Sequence, residues 1–138
     1  MKSSNTIQTA PVILAFEAST KQLSVAVYMN GSVRAMEKIE APFGQAMELV
    51  PLAIRTLANV GVEFSSLSHV AAGCGPGSFT GLRVSLAAAK GVCLARDIIG
   101  LGISGLEALA FFSSEVLNGM PVLCICLLYT SPSPRDLH

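Results

Sequence analysis

The sequence contains no tryptophan, and aromatic residues make up only 6% of its 138 positions. A core built from it must therefore be filled by Leu, Val, Ile and Ala. Charge is also scarce, at 13% of residues, and nine bases balance nine acids to a formal net charge of zero. The bases are scattered from Lys2 to Arg135 instead of forming a run. A protein that grips RNA by itself usually carries a basic stripe, so any RNA role is expected to run through a partner. Long hydrophobic runs are missing too: Val122–Leu128 is far short of the roughly 20 residues a bilayer requires. Met1–Gln8 is polar and no apolar segment with a cleavage site follows it. A cytoplasmic protein without a membrane partner is the expectation.

Reactive chemistry is equally thin. There are two histidines, His69 and His138, so a site held by a histidine pair has little to draw on. His69 falls on a predicted strand and is read as structural. Of the four cysteines, Cys124 and Cys126 are too close for a zinc knuckle or a redox pair. With Cys74 and Cys93 they are expected to be reduced thiols among apolar neighbours. No Gly-x-Ser-x-Gly elbow occurs, and Ser78 has no histidine base near it in sequence. No catalytic residue and no metal ligand is assigned.

What is present is apolar material, 51% of the chain, with clear periods. Val12–Glu17 reads as a buried strand, and Leu23–Met29 alternates, with Leu23, Val25 and Val27 on one face. Asn30-Gly31 is a strong hairpin signal, so Ser32–Ile39 is predicted to run back antiparallel. Gln45–Val60 shifts to a helical period, with Pro51 as a start or a kink and Gly61 as a stop. His69–Gly73 is a short strand, and a helix capped by Thr80 runs to about Arg96. Ile98–Ile103 is the next strand, Ser104 or Gly105 opens a helix to Leu117, and Pro121–Ile125 starts a further strand. The order βββαβα, with one more strand and helix after it, implies a mixed sheet in an α/β domain. That order resembles the actin/Hsp70/sugar-kinase fold. Residues 1–10 are expected to be a frayed terminus and 11–125 one domain. Residues 126–138 stand outside the pattern, and LLYTSPSPRD is similar to translated sequencing adapter. On that reading a second domain follows in the native protein.

Two constellations stand out. In Gly73-Cys74-Gly75-Pro76-Gly77-Ser78-Phe79-Thr80-Gly81-Leu82-Arg83, four glycines permit close backbone approach and Pro76 stiffens the turn. A strand, this loop and a helix start can form a phosphate loop, with Glu17, Ser19 and Thr20 beside it, or simply a tight turn. It is neither a Walker A loop nor G-x-G-x-x-G. The second constellation is a stripe of Ala87, Gly91 and Ala95 on the second helix, smooth enough to admit another helix at short range. The first helix adds Met47, Val50, Ile54 and Leu57. These seven positions are the candidate interface; packing on the chain's own sheet is the other reading of the same periodicity.

The loop, followed by Leu86-Ala-Ala-Ala-Lys-Gly91, resembles the signature of the TsaB (YeaZ) family. Ile13–Thr20 is similar to that family's ILAIDTST segment and Ser104–Leu109 to its SSLEAL segment. Glu17 stands where the family usually has Asp, and Gln45 and Ala46 replace the His and Ser of its HSERLLP segment. The resemblance implies an accessory, non-catalytic subunit in N6-threonylcarbamoyladenosine synthesis on tRNA. Such a subunit docks on the catalytic TsaD subunit through these two helices, with the TsaE ATPase joining them, or pairs with a second copy of itself. ATP, ADP and metal then belong to the partner subunits, and this chain is expected to bind no cofactor. The alternative is half of a sugar-kinase-like phosphotransferase that uses Glu17 and the glycine loop around a nucleotide.

Overall fold

The computed structural model describes residues 10–118 and 120–126. The tail from Leu127 onward and the first nine residues lie outside that set. Alternation builds the sheet first. Strands β1 (Val12–Glu17), β2 (Gln22–Met29) and β3 (Ser32–Glu40) form an antiparallel meander. Asn30 and Gly31 both take positive φ at the β2–β3 turn, 54° and 80°, as the Asn-Gly pair predicts. Strands β4 (His69–Gly73) and β5 (Ile99–Ile103) add in parallel, giving the order β3-β2-β1-β4-β5.

One face of this sheet collects Leu14, Phe16, Leu23, Val25, Val27, Val70 and Ala72, all buried. Helix α1 (Gln45–Ala58) crosses β2 and β3, and helix α2 (Phe79–Arg96) crosses β4, β1 and β5. Leu49, Leu52, Ala53 and Leu57 of α1 join the same core, and α2 adds Ala89. Pro51 sits inside α1, so it does not mark its start. Gly61 ends the segment with φ +64°, and Val62 N–H donates to the Leu57 carbonyl at 3.1 Å. The end of α1 is pinned to β3: Arg55 Nε donates to Glu37 Oε2 at 2.5 Å and Asn59 Nδ2 to Glu37 Oε1 at 2.7 Å.

Two expectations are corrected, and one element is new. The cap of α2 is Ser78, whose Oγ accepts from Gly81 N–H at 3.2 Å; Thr80 already lies inside the helix. Ser78 has a non-helical backbone, with φ −56° and ψ 123°, as a capping residue does. A short 3-10 turn at Phe64–Ser66, which the sequence pattern does not announce, packs Phe64 against the core. Residues 121–126 carry no strand. They belong to a second compact unit beginning at Leu106, with helix α3 (Gly105–Val116), in which no residue is buried.

Candidate partner-binding surface

The glycine loop is folded onto the turn after β1. Glu17 Oε1 accepts from Ser19 N–H at 2.5 Å, Ser19 carbonyl accepts from Ser78 N–H at 2.6 Å, and Gly105 N–H donates to the Gly75 carbonyl at 2.8 Å. The Gly75–Pro76 peptide is cis. Close approach explains the glycine at 81: a Cβ there would collide with the backbone carbonyl of Ala18. Gly77 is similarly packed against Ser19. Gln45, where the resembled family has histidine, donates from Nε2 to the Thr20 carbonyl at 2.9 Å. This long-range bond ties the start of α1 to the same turn, and nothing in the local sequence foretells it.

These bonds bear on the phosphate-loop reading. Ser78 N–H is held by Ser19, Gly81 N–H by the Ser78 hydroxyl, and Leu82 N–H by the Ser78 carbonyl at 2.9 Å. The loop thus directs three of its amides inward to the chain itself. Thr20 Oγ1 accepts from Gln22 N–H at 3.1 Å in a local turn. Glu17 and Ser19 are brought to the loop as expected, but as parts of its internal bracing. His69, half-buried on β4, lies 2.9 Å from the Ser68 hydroxyl through Nδ1. Among the described residues no cluster of three His, Cys, Asp or Glu is placed to hold a metal. No described helix is long and apolar enough to cross a membrane.

The candidate interface residues divide. Met47, Val50 and Ile54 are exposed, at 76%, 51% and 54%, and Ala87, Gly91 and Ala95 on α2 are exposed as well. Leu57 is 2% exposed and belongs to the core, which corrects its placement in the interface. It stands at the boundary of the two faces of α1, and the returning segment Val60–Phe64 closes over it. The stripe on α2 does not pack on its own sheet: Gly81, Ser85 and Ala89 do that, while a Cβ at Gly91 meets nothing within 4 Å. Between the helices runs an apolar groove of about 540 Å³ lined by Ala46, Leu49, Val50, Val84 and Ala87, with Thr80 and Arg83 at its polar end. It continues past Ala46, Thr80 and Val84 into a second hollow beside Lys21, Phe43 and Gln45.

Residues 45–128, more than half of the chain, match the family model described as TsaD: tRNA N6-adenosine threonylcarbamoyltransferase. The chain belongs to this TsaD family, in its TsaB (YeaZ) group. It is 32% identical over 98 residues to the tRNA threonylcarbamoyladenosine biosynthesis protein TsaB of Escherichia coli, covering 71% of this chain and 42% of that protein. The TsaB of Haemophilus influenzae is 34% identical over 104 residues, or 75% of this chain and 44% of the relative. A solved structure of YeaZ from Pseudomonas aeruginosa superposes with a TM-score of 0.71 at 30% identity, covering 78% of this chain and 50% of the other. The chain thus spans under half the length of the curated relatives it matches. The mixed sheet and its α/β architecture are those of the YeaZ neighbour.

Proposed function

We propose that this chain is the non-catalytic half-partner of a TsaD-type subunit, binding and activating it in N6-threonylcarbamoyladenosine synthesis on tRNA. The observation that carries the reading is the outward face of α1 and α2. Met47, Val50 and Ile54 are left exposed beside Ala87 and Gly91, although the same helices supply buried residues on their other sides. Exposed large apolar residues gathered on one face mark interaction sites, and small residues let a second helix approach closely.

On this reading ATP, ADP and metal stay with the partner subunits, a TsaE-type ATPase joins through the complex, and tRNA is reached only through it. The protein works in the cytoplasm. Reconstitution tests the proposal. Added to a TsaD-type subunit, the full-length protein should co-purify with it and raise modification of tRNA, and alone it should modify none. Gly91→Leu should remain folded, since a side chain there enters open space, and should lose the partner. Unchanged affinity of that variant would remove the interface from these helices. The phosphotransferase alternative is tested by calorimetry with ATP and Mg²⁺: clear binding by the isolated protein would favour it over the accessory role.

A further inference from the structure

Helix α1 is fastened unequally at its two ends. Its last turn is held to β3 through the contacts of Arg55 and Asn59 with Glu37. Its first turn has no side-chain cap: Gly44 stands at the cap position with a left-handed backbone, φ 76°, and has no side chain to offer the free amides. Among the described residues one side-chain hydrogen bond leaves that turn, from Gln45 Nε2 to the Thr20 carbonyl at 2.9 Å. The other end of the same amide lies against α2, where a Cβ at Gly81 would stand 3.0 Å from Gln45 Oε1. The carbonyls on either side of Thr20 are bonded to other elements. Ser19 accepts from Ser78 N–H at 2.6 Å, and Lys21 accepts from Ala41 N–H at 3.0 Å. Half-buried Gln45 thus joins the start of α1, the β1–β2 turn and the first turn of α2 at one point.

That point stands at the end of the groove. Gln45 lines the hollow beside Lys21 and Phe43, which runs on past Ala46, Thr80 and Val84 into the apolar groove between the helices. We infer that Gln45 is a positioning residue for partner binding: its amide fixes the spacing of the two helix starts, and so the width of the groove that receives the partner. The inference rests on the reading that α1 and α2 form the interface. Without the donor, the first turn of α1 hangs on the backbone of Gly44, the residue type with the greatest conformational freedom. A partner must then order that turn as it binds, which costs affinity. The buried residues of α1 begin only at Leu49, so the loss falls on binding and not on the fold.

The test titrates the full-length protein and its Gln45→Ala, Gln45→Glu, Gln45→His and Gly91→Leu variants with the TsaD-type subunit of the same organism. At about pH 8 an imidazole is neutral and still donates one N–H, whereas glutamate keeps the length of glutamine and only accepts. Gln45→Ala and Gln45→Glu should each weaken binding about fivefold, the size of one hydrogen bond, with thermal midpoints close to the parent's. Gln45→His should restore the parent's affinity. In the unbound Gln45→Ala protein, the amides of residues 46–49 should exchange faster than in the parent. If Gly91→Leu abolishes binding while Gln45→Ala and Gln45→Glu bind like the parent, the interface stands and the positioning role is overturned. Equal weakening by all the Gln45 variants, histidine included, overturns it as well, because the donor is then not what matters. If Gly91→Leu binds normally, or the parent binds nothing, the interface itself falls and the inference falls with it.

Discussion

Helices α1 and α2 lie side by side on one sheet face yet hold to it in opposite ways. Helix α1 inserts large side chains, with Leu49, Leu52 and Leu57 each no more than 2% exposed. Helix α2 buries only Gly81, Ser85 and Ala89 and lies close to the strands. One helix is anchored by volume, the other by the lack of it. Helix α2 fully buries only small residues, with Val84, Val92 and Cys93 half-buried against the core, and leaves Phe79, Arg83, Leu86, Lys90 and Leu94 exposed.

Substitutions can break that contrast at graded cost. The largest effect is expected from Gly81→Ala, whose Cβ has no room beside the Ala18 carbonyl. A loss of about 3 kcal/mol in urea unfolding is expected from such overpacking; an undisturbed midpoint would show that the close approach does not hold. Leu57→Ala should cost about 2 kcal/mol, at the lower end for a core truncation, while the folded protein keeps its affinity for the TsaD-type subunit. A stable Leu57→Ala that cannot bind would return Leu57 to the interface. Smallest for stability is Ile54→Ser, within about 0.5 kcal/mol as for most surface changes. Its affinity should nonetheless fall about tenfold, the size of an ordinary interface contact of 1.4 kcal/mol.

The same contrast decides how much could be read from the sequence. Strand alternation in Leu23–Met29, the Asn30-Gly31 turn and the Gly61 stop are local signals, and each matches the structure. The period of α1 announces the helix but not the division of its apolar residues into two faces, because Leu57 is claimed by the return of Val60–Phe64. Helix α2 has little amphipathic signal, and its contacts depend on where Ala18 and the sheet lie. Thr80 looks like a cap by residue type, but the loop geometry gives that role to Ser78. The apolar Pro121–Ile125 run lacks a strand because strand formation needs a ladder partner, which no local pattern supplies. At the glycine loop, the motif is legible while its bracing by Ser19 and Gln45 comes from residues far apart in sequence.

Amide hydrogen exchange of the full-length protein, with and without the TsaD-type subunit, locates the docking face directly. Exchange should slow across Gln45–Ala58 and Phe79–Arg96 and stay unchanged at the β3 edge, Ser32–Glu40. Slowed exchange at β3 with neither helix affected would contradict the account.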